Sequence, residues 1–179
     1  MSNNRQIILY IAMSLDGYIA KPNDDLNFLS IVQKEGEDYG YADFVSTIDT
    51  VILGRKTYDW VMKQVGEFPH ADKNAYIITR TARPTIGKTV FYTGDLTDLV
   101  IKLKSENGKN IFCDGGAEIV NELLKNDLLD EIIISVIPIF VGNGTRLFKD
   151  GRPEQKLQLV NVKTFDTGLT QLHYKRADN

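Results

Sequence analysis

Apolar positions fall in two patterns along this chain. Continuous runs rich in Ile, Val and Leu occur at residues 7–14 (IILYIAMS), 50–53 (TVIL), 75–79 (AYIIT), 90–92, 111–113 and 131–141. Most are too short for buried helices and suit strands covered on both faces. Between them, apolar residues recur at helical spacing: Tyr41, Phe44, Val45 and Ile48; Tyr58, Val61 and Met62; Leu96, Leu99, Val100 and Leu103; Ile119, Val120, Leu123 and Leu124. Two further runs, 156–165 and 169–175, flank Asp166-Thr167-Gly168 and predict an antiparallel hairpin. Strands thus alternate with helices and a hairpin closes the chain. That order predicts an α/β fold with a mainly parallel central sheet flanked by helices and a C-terminal antiparallel hairpin.

Turn chemistry sets the boundaries. Leu15-Asp16-Gly17 makes a turn before a brief run at 18–20, residues 21–25 read as loop, and 26–32 as a helical turn. Asp95 predicts an N-cap for a helix through Lys104, which Asn107-Gly108 ends as a C-cap. Asp114-Gly115-Gly116 stops the strand at 111–113, and Gly142 to Thr145 reads as a flexible loop. With no linker or repeat, residues 1–179 are expected to form a single domain.

Two strand-to-helix junctions share one design. The strand at 50–53 meets Gly54-Arg55-Lys56-Thr57, and the strand at 111–113 meets Gly115-Gly116. Glycines admit a ligand close to the main chain. A helix start offers unpaired N–H groups and a partial positive charge, a cradle for phosphate or pyrophosphate. Arg55 and Lys56 oppose the dipole at a helix start, so an anion there would relieve them. A solvated basic helix start is the alternative. No second glycine stands five residues before Gly54, where Asp49 lies, and no GxGxxG occurs; this is neither a P-loop nor a Rossmann fingerprint. Thr79 and Arg80 follow the third strand, where Arg80 suits a ribose 2′-phosphate or is simply exposed. Asp114 suits substrate binding or proton transfer, or an N-cap. Asp38 and Asp43 flank the 41–48 helix, where each could enter a cleft or cap the helix.

Composition narrows the class. The net charge of −3 and pI near 5.4 give no reason to expect nucleic acid or an anionic membrane as partner. No apolar run approaches a membrane span, and the N-terminus lacks the features of a signal peptide. One cysteine and two distant histidines, His70 and His173, predict no metal site. These features fit a reducing cytoplasm.

The ordered set SLDGYIA at 14–20, VILGRKTYDWV at 51–61, IITR at 77–80 and CDGGAEIVNELLKNDLLDEIIISVIPIFVGNGTRLF at 113–148 resembles the dihydrofolate reductase superfamily. It is most similar to the reductase (C-terminal) domain of the riboflavin-biosynthesis deaminase/reductase and its stand-alone relatives. The resemblance implies an NADPH-dependent oxidoreductase acting on a small pyrimidine or pterin, and a homodimer. It implies that Ala12 and Ile19 hold the nicotinamide carboxamide and that Gly54, Arg55, Lys56 and Thr57 grip the phosphates. Thr79 and Arg80 would meet the 2′-phosphate region, and Gly115, Gly116, Ala117, Glu118 and Ile119 the pyrophosphate. Asp114 and Asp38 are the catalytic candidates. Dihydrofolate reductases carry a carboxylate four residues ahead of a pterin-packing aromatic. Counting from Phe44, that position is Gly40, which speaks against folate reduction. The riboflavin branch usually has lysine where this chain has Tyr18. Residual dihydrofolate reductase activity and a non-catalytic NADPH-binding module stand as alternatives.

Overall fold

The structure, a computed structural model, describes residues 5–177. Strand β1 (Ile7–Ser14) is followed by the short β2 (Tyr18–Ala20), two 3-10 turns (Pro22–Asp24 and Asn27–Val32) and α1 (Tyr41–Ser46). Then come β3 (Ile48–Gly54), α2 (Arg55–Val65), β4 (Asn74–Ile78), β5 (Thr89–Tyr92), α3 (Leu96–Ser105), β6 (Asn110–Gly115), α4 (Ala117–Lys125) and β7 (Glu131–Ile137). The two-residue β8 (Thr145–Arg146) precedes the hairpin of β9 (Leu157–Thr164) and β10 (Thr170–Arg176).

Eight strands form one sheet in the order β5-β4-β3-β6-β1-β7-β10-β9, and β2 pairs with β8 apart from it. Neighbours from β5 to β7 run parallel, whereas β10 is antiparallel to both β7 and β9. The α/β expectation therefore holds, hairpin included. Alternation along β1 and β6 separates two cores. Ile7, Leu9, Ile111 and Cys113 join the faces of α3 and α4 on one side. Ile8, Val51, Leu53 and Phe112 pack with Phe44 and Tyr58 on the other. Each central strand is covered on both faces, which is why its sequence is an unbroken apolar run. Asp95 caps α3 as expected, its carboxylate accepting from Asp98 N at 3.0 Å.

Three local expectations are corrected. Ile48 opens β3 rather than closing α1; a buried apolar residue at the helix–strand boundary fits either period. Residues 145–146 pair with β2 instead of forming a loose loop. The strand in the run at 131–141 ends as Pro138 suggests, at Ile137, because proline lacks the N–H a ladder needs. Gly108 is not in the left-handed conformation, and the cap of α3 is extended Glu106. Gly108 instead makes room for the ion pair of buried Arg5 with half-buried Asp49: a Cβ there would lie 2.5 Å from Asp49 Oδ2 and 2.9 Å from Arg5 Cζ. Arg5 is 4% exposed and binds Asp49, Thr50 Oγ1 (2.7 Å) and the Leu103 carbonyl (3.1 Å). No helix among the described residues is long and apolar enough to cross a membrane.

Candidate active site

The two junctions meet. Gly54 and Gly115 end β3 and β6 side by side, Leu53 pairing with Gly115. A Cβ on Gly116 would stand 3.3 Å from Thr57 Oγ1 and 3.9 Å from Gly54 Cα, and one on Gly54 would stand 3.9 Å from the Gly115 carbonyl. Gly115 and Gly116 take φ of +106° and +81°, values that L residues with side chains rarely adopt. The starts of α2 and α4 are thus neighbours at the carboxyl edge of a parallel sheet, where such folds collect ligands. Ala117 and Ile119 turn their side chains into the core, so they can offer only main-chain N–H groups. Glu118 is exposed and paired with Lys149. Lys56 is exposed and makes no ion pair among the described residues.

Arg55 differs from expectation. It is bound at 3.1 Å by Asp59, one turn along α2, so its charge at the helix start is compensated without a ligand. Asp59 also takes both guanidinium nitrogens of Arg83, at 2.7 and 3.1 Å. The paired arginines draw the Asp59 carboxyl below its ordinary range, Arg83 first. Two cations on one carboxylate leave one positive charge at this edge. Arg83 was not singled out from sequence; its signal was the RTAR spacing after β4. Thr79 and Arg80 leave β4 beside the exit of β3, where Gly54 pairs with Ile78. The Thr79 hydroxyl accepts from Thr81 N at 3.1 Å, and Arg80 is exposed.

Beside this edge lies a cleft of about 850 Å³ whose lining includes Tyr10, Ala12, Asp38, Tyr39, Tyr41 and Trp60. Strand β1 pairs with β6 only over Ile7 to Leu9 but with β7 over Ile8 to Ser14. From Tyr10 onward it therefore has no ladder partner on the β6 side, which leaves the Ala12 main chain facing an opening. Ile19 does not line the cleft; it packs on the core containing Ile11 and Met13. Tyr10 stacks on Phe44 with centroids 4.6 Å apart, and its hydroxyl donates to the Tyr39 carbonyl at 3.0 Å. Gln171 Nε2 ties Tyr10, Tyr39 and Ser135 together. The Tyr41 hydroxyl meets buried His70 Nε2 at 3.2 Å, a contact 29 residues apart in sequence that pattern reading missed.

The two catalytic candidates have opposite electrostatics. Asp38 accepts from Gly40 N (2.9 Å) and Ala42 N (3.0 Å), which hold its carboxyl below the ordinary range. Gly40 holds the N-cap position of α1, so Asp38 is not the cap itself; it binds an N–H of the helix's first turn and also lines the cleft. Asp114 is not a cap; Gly116 occupies that place and Asp114 lies within β6. Ile52 pairs with Cys113 and Leu53 with Gly115, so Asp114 is the extra residue of a β-bulge. Bulges re-aim side chains and gather near active sites. Asp114 has no hydrogen-bond or ion-pair partner among the described residues, and burial pushes its carboxyl up to about 7. Asp114 is not part of the cleft lining. Its charge reaches Tyr41, which is: partial burial first, then Asp114, raises the Tyr41 phenol above its usual value. Carboxylates driven apart in this way divide into an acid and a fixed anion. No group of three or more His, Cys, Asp or Glu among the described residues is placed to hold a metal ion.

Comparisons with known proteins identify the family and the fold. The model of the RibD C-terminal domain matches residues 5–171. The uncharacterised Bacillus subtilis protein YwjB is 43% identical over 97% of this chain and 99% of its own length. The crystal structure of a Shewanella sp. PV-4 protein assigned provisionally to riboflavin biosynthesis superposes with a TM-score of 0.88. It is 28% identical, over 97% of this chain and 99% of that one. The diaminohydroxyphosphoribosylaminopyrimidine deaminase/5-amino-6-(5-phosphoribosylamino)uracil reductase of Thermotoga maritima shares the fold. Its TM-score is 0.73 at 15% identity, over 97% of this chain and 57% of that one. A family match over residues 5–171, nearly the whole length, shows that this chain belongs to the RibD C-terminal domain family.

Proposed function

We propose that this protein is an NADPH-dependent reductase of a small nitrogen heterocycle, resembling 5-amino-6-(5-phosphoribosylamino)uracil reductase. The observation that carries the reading is the contact between two glycine-bounded helix starts beside an aromatic cleft. The residues present fit the cofactor. A Cβ at Gly116 would crowd the Thr57 hydroxyl, so the space between the junctions depends on glycine. Main-chain N–H groups of residues 116–119 and 55–57 would hold the pyrophosphate, and Lys56 would add charge. Arg83, sharing Asp59 with Arg55, and Arg80 would meet a 2′-phosphate. The open edge of β1 at Ala12 would bind the carboxamide.

Bound there, the cofactor supplies a hydride from C4 of its nicotinamide. The chain supplies the remainder. Tyr10 and Trp60 line the cleft that would take a flat acceptor, and Gln171 fixes Tyr10 in place. Reduction of a C=N bond or an open-chain sugar carbon also consumes a proton. Asp114 is the group at this edge that still holds one near neutrality. Asp38, ionised, orients a donor on the acceptor.

Trp60, the single tryptophan, lies in the cleft and reports binding directly. Titration with NADPH and NADH should quench it at micromolar NADPH and at higher NADH. Lys56→Ala should weaken NADPH binding about tenfold, roughly one lost charge-assisted contact. Absence of binding by either nucleotide would overturn the reading. Binding without turnover of any heterocycle would favour a non-catalytic module.

A further inference from the structure

We infer that the acceptor this cleft takes carries no phosphate: it is an uncharged or cationic nitrogen heterocycle. The inference rests on the reductase reading above and narrows its substrate. The charged lining of the cleft is acidic. Asp24, Asp25, Glu37 and Asp38 line it, and Lys34 is its one lining cation. Lys34 is already engaged, its Nζ 2.5 Å from Asp166. Asp38 is held ionised by two main-chain N–H groups. Asp25 and Glu37 accept from Asn27 N and Tyr39 N, both at 2.8 Å, which fixes each carboxylate on the rim. A phosphorylated sugar would bring a near-dianion toward four carboxylates, and the cleft lining holds no unpaired cation to meet it.

The cations elsewhere do not repair this. Arg55, Lys56 and Arg83 stand at the cofactor edge. Lys163 approaches Gly40, and Lys21 bridges to Asp25 through its main chain; neither lines the cleft. What the walls offer instead is aromatic: Tyr10, Tyr39, Tyr41 and Trp60. Ring faces surrounded by carboxylates suit a flat base bearing amino groups and repel an anion. The cleft thus departs from a phosphoribosyl acceptor while keeping the surfaces a heterocycle needs.

A matched pair of ligands tests this. Protein saturated with NADP⁺ is titrated with 5-amino-6-(ribosylamino)uracil and with its 5′-phosphate, following Trp60 fluorescence at low and high salt. The unphosphorylated compound should bind at least about tenfold more tightly. That preference should shrink in high salt and in the Asp25→Asn/Glu37→Gln variant, whose amides keep both acceptor oxygens while removing two charges. Equal or tighter binding of the phosphate form overturns the inference. So does failure of both compounds to bind protein that still binds NADP⁺, which leaves the reductase reading standing. Failure to bind NADPH or NADP⁺ at all overturns both.

Discussion

Asp114→Asn isolates the electrostatics of the bulge. The side chain keeps its size and loses its ionisable proton. In the wild type, burial moves the carboxyl from an ordinary 3.8 to about 7. A group whose folded value is raised contributes its full stability below the unfolded value and loses it as pH climbs through the folded value. The cost of ionising Asp114 in place therefore accumulates between about pH 4 and pH 7. The full displacement corresponds to about 4 kcal/mol, and partial solvent access at the sheet edge reduces the expectation to about 2–4 kcal/mol. Urea unfolding at several pH values from 4 to 8, for wild type and variant, measures this as a difference. The variant should gain about 2–4 kcal/mol relative to wild type across that window and remain level above it. Taking the difference cancels other groups. Asp16, drawn down to about 2 by hydrogen bonds from Ser14, Val141 and Gly142, titrates outside the window in any case. A difference that stays flat with pH would refute the claim that Asp114 is desolvated and unpartnered. Activity should show the same proton: turnover by the wild type falls as pH rises through about 7, and Asp114→Asn loses that limb together with most of its rate.

Three further outcomes follow from particular contacts. Gly116→Ala must hold a side chain at φ +81° and 3.3 Å from Thr57 Oγ1; it should lose about 1–2 kcal/mol of stability and, by calorimetry, NADPH affinity. Asp49→Ala leaves Arg5 buried and uncompensated beneath Gly108; chemical denaturation should record a loss of about 3–5 kcal/mol. Strand β9 is exposed along its whole length and carries Leu157, Leu159, Val160 and Val162, an open edge suited to a second copy. Sedimentation should find a dimer that Leu159→Lys with Val162→Lys converts to monomer; a monomeric wild type would refute the homodimer that the resemblance implies.

How far such contacts could be read from sequence depended on how far apart the partners lie. Strands and helices were legible because central strands covered on both faces leave unbroken apolar runs, as at 7–14 and 111–113. The two glycine junctions were legible because a strand stop and a helix start are local. The contact of Arg55 with Asp59 is four residues long, yet its meaning changed once Arg83 arrived from the far side of β4. The two aspartates make the point most sharply. As residue types Asp38 and Asp114 are identical, and each precedes a glycine and a helix within a few positions. At Asp38 the chain turns two N–H groups onto the carboxylate, and it stays charged. At Asp114 the register between β3 and β6 slips by one residue, Ile52 with Cys113 and then Leu53 with Gly115. The carboxyl is left without a donor and keeps its proton close to neutrality. That slip is agreed between strands some sixty positions apart in the chain, so no window of local sequence contains it. The division of labour between acid and anion is consequently a property of sheet register, and shifting the register by one residue would erase it while leaving both aspartates in place.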